Sequence, residues 1–179
     1  VVRAFVWVIR STPLMLQVLA VSFIPSVVFH IMNKDVAAAF GVSVSQLNFI
    51  FVAAAFIINY ACYFSEIYRA GIAAVSKGQY EAGKVLGLTK AQTFRKVVLL
   101  QVIKHIVPPM GNEIITLVKD TSLAQILGVI DLLSAAQNAV NSLVVLSPLI
   151  YAAVFYLIFN GLLTLLLGYT EKKLGYFRV

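Results

Sequence analysis

The chain has 179 residues, 61% of them hydrophobic and 12% charged, with a mean hydropathy of +0.94. An ordinary soluble domain is about 45–50% apolar and about 25% charged, so in water this chain would expose large apolar patches; part of its solvent is lipid. A single cysteine, Cys62, excludes an intrachain disulfide framework, and the net charge of +7 is not interleaved with aromatics on a solvated face, which argues against nucleic acid.

A membrane crossing needs about 20 mostly apolar residues. The first candidate, residues 13–32, holds no acidic residue, lysine or arginine, and Pro25 is expected to kink or end it near one surface. The second, residues 48–64, carries its apolar face past Glu66 to Ile72. Glu66 and Arg69, three apart, are expected to form a structural ion pair.

Next comes a basic, amphipathic island at residues 80–109. Residues 80–85 and 91–105 are patterned as helices, and Gly87-Leu88-Thr89 divides them. Gly87 suits a left-handed helix end. Thr89, with Gln92 three residues later, forms a capping-box pattern. The expected product is a short helix, a tight turn and a second helix turning Val97, Leu99, Leu100 and Ile103 inward. Such an island either floats among lipid headgroups or offers a grip to a soluble partner, and spacing leaves both open.

A longer apolar stretch, residues 109–144, is interrupted by Lys119 and Asp120. With Pro109 at the first helical position, Lys119 lies roughly 16 Å further on, about half of a hydrocarbon core. Charge at that depth costs at least about 2.5–3.5 kcal/mol and must face protein or water. Thr121 and Ser122 are suited to cap a new helix from Leu123, giving the broken mid-membrane helix with which transporters present free backbone groups to a substrate. Asp120 could meet a substrate ammonium. Lys119, Thr121, Ser122 and the amides of the second half-helix could meet a carboxylate. Glu113 lies two turns before Asp120 on one helical face, with Asn112 beside it, and Gln17 on the first span could line the same pathway. Each of these polar groups has a competing role as an interhelical hydrogen-bond partner. Two acids against one lysine favour polar or cationic amino acids over acidic ones. The last span, residues 148–168, carries no charge at all.

Arg3 and Arg10 precede the first span, Arg69, Lys77, Lys84, Lys90, Arg95, Lys96 and Lys104 lie in or beside the island, and Lys172, Lys173 and Arg178 follow the last span. The opposite connections hold Lys34, Asp35 and Asp131. The positive-inside rule then puts the N-terminal end, the island and the C-terminus in the cytoplasm, with four crossings. A membrane enzyme would need a paired nucleophile and base or a metal-ligand spacing, and neither is present; His30 and His105 stand apart without metal-ligand company. No phosphate-cradling Gly-x-x-x-x-Gly-Lys-Ser/Thr segment occurs, so no catalytic or metal site is expected.

Glu81-Ala82-Gly83, Gly87 and Val97-Val98-Leu99-Leu100 resemble the signature loop of ABC-importer permeases, Glu-Ala-Ala, three residues, Gly, nine residues, Ile, one residue, Leu-Pro. Glycine stands for the second alanine, valine for isoleucine and leucine for the final proline. Arg10-Ser11-Thr12-Pro13-Leu14, Ser65-Glu66-Ile67-Tyr68-Arg69-Ala70-Gly71-Ile72, and Gly111-Asn112-Glu113 followed by Lys119-Asp120-Thr121-Ser122-Leu123 are similar to the polar-amino-acid branch, the histidine, glutamine and arginine permeases. The likeness covers most of residues 10–137.

The resemblance implies an all-α integral membrane protein with a type I ABC importer transmembrane domain. Four helices would lie in this chain and one more before it. Residues 1–179 would form one such domain, N-terminally incomplete, with a cytoplasmic coupling loop at 78–105 that meets the ATPase through Tyr80, Glu81, Ala82, Gly83, Leu86 and Gly87. The implied partners are a second permease subunit, identical or related, two cytoplasmic ATPase subunits and an extracytoplasmic substrate-binding protein. ATP and Mg would belong to the ATPases, with no cofactor on this chain. The expected function is translocation of polar or cationic L-amino acids across the bacterial inner membrane. The alternatives are a permease for another small nutrient of the same importer class or a passive channel.

Overall fold

The computed structural model describes residues 1–175, and among them every regular element is helical. The expected cytoplasmic charge at Arg178 lies outside the described residues. Helices α1 (Val2–Ser11) and α2 (Leu14–Val28) meet at 111°. The elbow arises from Thr12-Pro13: proline disfavours the helical region for the residue before it, and Thr12 is extended at φ −107°, ψ 142°. Pro25 sits inside α2, which ends three residues later, so Pro25 does mark the end of this element. At 15 residues α2 is about 22 Å long, shorter than the expected span of 13–32.

A short helix, α3 (Asn33–Ala39), occupies what the sequence offered only as a connection. Helix α4 (Val44–Ala74) is 31 residues long and takes in the second expected span with its extension past Glu66. Helices α5 (Lys77–Val85) and α6 (Lys90–Thr93) form the island's turn, and a π turn (Phe94–Val98) joins α6 to α7 (Leu99–Asp120). A 3-10 segment (Thr121–Leu127) leads to α8 (Leu132–Leu143) and then α9 (Ser147–Leu174). By length and composition α4 and α9 can each cross a membrane alone, and four crossings are reached only if each of two bent pairs, α1 with α2 and residues 90–127 with α8 (bent by 55°), is one span.

Two expectations about α7 are corrected. Pro109 does not open a helix, because Pro108 and Pro109 both lie inside one that is already running. Membrane helices tolerate interior proline where neighbours re-satisfy the freed backbone groups. Nor does a helix restart at Leu123. The Thr121 and Ser122 hydroxyls donate backwards, to the carbonyls of Val118 at 2.7 Å and Lys119 at 2.8 Å, and so cap nothing ahead. The chain turns instead at Gly128, left-handed at φ 72°. Asp131 then starts α8 with a capping box, its carboxylate accepting from the amides of Leu133 and Ser134.

The chain divides into two compact units. In the first, residues 1–63 with 118–157, Val18 of α2, Val52 and Ala55 of α4 and Ala124 of the 3-10 segment form the core, and the Asn48 amide donates to the Leu127 carbonyl at 2.7 Å. In the second, residues 64–117 with the chain from Ile158, the core is Val75, Val98 and Val102 with Ile106 packed on it. The inward row is therefore Val98, Val102 and Ile106, four residues apart. Leu99 and Leu100, expected inside, are exposed, because the α-helical register after the π turn brings the neighbouring row to the core.

Candidate functional site

The island loop is built as its sequence requires. Thr89 Oγ1 accepts from the Gln92 amide and Gln92 Oε1 accepts from the Thr89 amide at 2.9 Å, the reciprocal bonds of a capping box. Gly87 is left-handed at φ 71°. Together they reverse the chain in residues 86–89 and set α5 against α6. Tyr80, Glu81, Ala82, Leu86 and Gly87 are not buried on this knob, and all but Tyr80 are well exposed. Val85, not singled out in the sequence, is 88% exposed beside Leu86, giving the knob an apolar tip that its local pattern did not announce.

Gly83 is the exception, for it is buried against Thr93. A Cβ at Gly83 would lie 2.5 Å from Thr93 Oγ1 and 2.6 Å from its Cγ2, so the absent methyl is what lets α5 approach α6. Nothing in the spacing marked Thr93 as that partner. Behind the loop, a Cβ at Gly71 of α4 would overlap the Ile106 side chain of α7. Glu66 and Arg69 form the expected ion pair, Nη2 to Oε2 at 2.6 Å.

The second cluster lies in the first unit, where α7 ends. Asp120 is the last residue of α7, and its Oδ2 accepts a hydrogen bond from the Tyr60 hydroxyl of α4 at 2.8 Å. Lys119 and Ser122 line a cavity of about 420 Å³ walled by Leu133, Leu149, Ala152, Ala153 and Tyr156. Thr121 is exposed beside them. Gln17 is engaged elsewhere: its Nε2 donates to the Ile9 carbonyl at 2.7 Å and to Thr12 across the elbow, while its Oε1 accepts from Asn59 at 3.0 Å. Arg10 stacks over the Tyr63 ring at 5.0 Å in the same unit. Asn112 and Glu113 belong to the second unit, Asn112 exposed and Glu113 half-buried on α7. Tyr60, with Asn59, is one of the polar groups on the second span that the sequence offers either as pathway lining or as an interhelical hydrogen-bond partner, and the structure gives it the second role, with Asp120.

Among the described residues the chain is all-helical, with two helices long and apolar enough to cross a membrane, a preorganised loop and a helix that breaks beside charged residues, which is the make-up of a transport permease. It belongs to the family described as the binding-protein-dependent transport system inner membrane component, which matches residues 1–176. The chain is 32% identical to the glutamine transport system permease protein GlnP of Escherichia coli (strain K12), over 97% of this chain and 74% of that protein. It is 34% identical to the arginine transport system permease protein ArtQ of Bacillus subtilis (strain 168), over 96% and 76% of the two chains. With the L-cystine transport system permease protein TcyB of the same organism the identity is 36%, over 97% and 69%. A crystal structure of an amino acid ABC transporter with histidines matches with a TM-score of 0.74 at 31% identity, covering 96% of this chain and 74% of that one. The fold is thus that of a type I ABC importer permease, a transport subunit of the inner membrane. Among the described residues, no three His, Cys, Asp or Glu side chains gather as a metal site.

Proposed function

We propose that this chain is the membrane-spanning subunit of an ATP-driven importer that carries polar or cationic L-amino acids inward. The carrying observation is the end of α7, where Asp120 is anchored by Tyr60 beside a cavity lined by Lys119 and Ser122. A zwitterionic amino acid suits these groups: its ammonium meets Asp120 and its carboxylate meets Lys119, while the Ser122 and Thr121 hydroxyls, which donate to their own helix, keep lone pairs that accept from the ammonium. Glu113 and Asn112, on the part of α7 that belongs to the second unit, are further polar groups offered to the substrate, and within the first unit Gln17 holds the elbow and Asn59. A charge on a membrane-spanning segment is costly unless it faces protein or water.

The knob on α5 supplies the other half of the reading. Tyr80, Glu81, Ala82, Leu86 and Gly87, with Gly83 beneath them, meet an ATPase subunit in the cytoplasm. Two permease subunits and two ATPases form the engine, and an extracytoplasmic binding protein delivers substrate. ATP and Mg are held by the ATPases. ATP-driven closure moves the knob and alternates access to the site at Asp120.

The test is reconstitution of the complex in liposomes with a panel of radiolabelled amino acids. Uptake of polar or cationic amino acids with stimulated ATP hydrolysis is expected. Hydrolysis that no amino acid stimulates, in a complex that assembles fully, would remove the reading.

A further inference from the structure

Gly83 stands where the signature loop has its second alanine, and the structure supplies a physical reason for the difference. The position has no room for a methyl: besides the Oγ1 and Cγ2 contacts, a Cβ there would lie 3.1 Å from the Cβ of Thr93. Thr93 is not free to swing away. It is 3% exposed, and its hydroxyl donates to the Thr89 carbonyl at 3.1 Å, one turn back on the residue that caps α6. Fixing the hydroxyl fixes the methyl of a β-branched side chain as well. The capping box therefore holds Thr93, and Thr93 holds α5 at a set distance.

The π turn at Phe94–Val98 begins at the residue after Thr93, and at its end Val98, fully buried, starts the row that packs on Val75. A π turn is a rare departure from α-helical geometry, often found at functional positions. A helix pair joined to α7 through such a turn passes a push on α5 into α7 only while the contact between α5 and α6 stays closed.

We propose that Gly83 and Thr93 are a size-matched pair that positions the coupling helix: their close approach sets the angle of α5 on α6 and thereby the fraction of ATPase movement that reaches α7. This rests on the reading of α5 as the coupling helix. Neither residue touches the substrate; both act through the knob they hold.

The experiment uses the whole complex, purified through a tag on this chain and reconstituted, with L-glutamine and L-arginine as probes. The readout is substrate transported per ATP hydrolysed. Gly83→Ala lowers this ratio by about tenfold, since overpacking of this kind forces a backbone shift. Gly83→Ala combined with Thr93→Ala, which removes the two shortest contacts, returns the ratio to within about twofold of the original chain, because the two sites are directly coupled. Thr93→Ala alone opens a gap and lowers the ratio with assembly intact. A Gly83→Ala complex with an unchanged ratio overturns the proposal, as does failure of the double variant to recover. If Gly83→Ala does not assemble, the Thr93→Ala chain decides: an unchanged ratio overturns the pairing. An original complex without coupled hydrolysis overturns the permease reading itself, and this inference with it. A coupled original complex with an indifferent Gly83 overturns the pairing alone.

Discussion

The Tyr60 hydroxyl donates to Asp120 Oδ2 at 2.8 Å, joining the middle of α4 to the last residue of α7. Tyr60 is buried and Asp120 half-buried, so the carboxylate is oriented before any substrate arrives. A hydrogen bond to a charged group is worth about 1.5–3 kcal/mol. Tyr60→Phe keeps the ring and its packing but frees the carboxylate, and is expected to raise the substrate concentration for half-maximal uptake by about tenfold. Asp120→Asn keeps an acceptor for Tyr60 while removing the charge. It should abolish transport and leave assembly and basal ATP hydrolysis intact. Uptake into proteoliposomes checks both, and normal uptake by the asparagine variant would remove Asp120 from the site.

At Gly87 the constraint is the backbone alone. Its φ of 71° is left-handed, and an added Cβ would meet nothing within 4 Å. A non-glycine residue in this conformation costs roughly 1–2 kcal/mol. Gly87→Ala should therefore loosen the turn without a steric clash, whereas Gly87→Asn, which tolerates the conformation better, should lose less. Substrate-stimulated hydrolysis is the measurement, with the order glycine, asparagine, alanine expected. Equal activity in all three would show that the turn is not under this constraint in the working complex.

The features legible in the sequence were those set by a few adjacent residues. The capping box of Thr89 and Gln92, the left-handed Gly87, the ion pair of Glu66 with Arg69 and the ending of α2 near Pro25 are local chemistry, and each is found. The features that were not legible depend on distant neighbours. Whether Thr121 and Ser122 cap forwards or bond backwards is a choice among backbone partners that side-chain identity leaves open. The same holds for Pro109, acceptable at a helix start and, where neighbours compensate, in the interior. The inward row of α7 was misjudged because its partner, Val75, lies in the connection after α4, far from Val98 in sequence, and no periodicity reveals it. For the site, Asp120 and Lys119 are conspicuous as charges in an apolar stretch and Tyr60 as a polar group on the second span, but the pairing of Tyr60 with Asp120 and the walls at Leu149 and Tyr156 depend on contacts between helices.

Gly71 tests whether the close approach of α4 to α7 is as tight as it looks. An alanine methyl there would overlap the Ile106 side chain, and overpacking of this kind costs about 1–3 kcal/mol. Gly71→Ala should lower the midpoint of thermal unfolding in detergent. Ile106→Ala, placed in the same chain, should recover part of the loss by supplying the missing space. If the double variant is no better than the sum of the two singles, the contact is not direct.

Asp131 makes a prediction about the second half of the broken span. Its carboxylate accepts from the amides of Leu133 and Ser134, and its own amide donates to Ser134 Oγ at 2.8 Å, so the start of α8 is satisfied by one residue pair. A negative charge at a helix N-terminus also meets the positive end of the helix dipole. Asp131→Ala removes both contributions and should cost about 1 kcal/mol, with Asp131→Asn, still a capping residue, costing less. Hydrogen exchange reads this directly: the Leu133 and Ser134 amides should exchange several-fold faster in the alanine variant, with α4 unaffected. Unchanged protection at those two amides would mean that α8 is held by its packing and not by its cap.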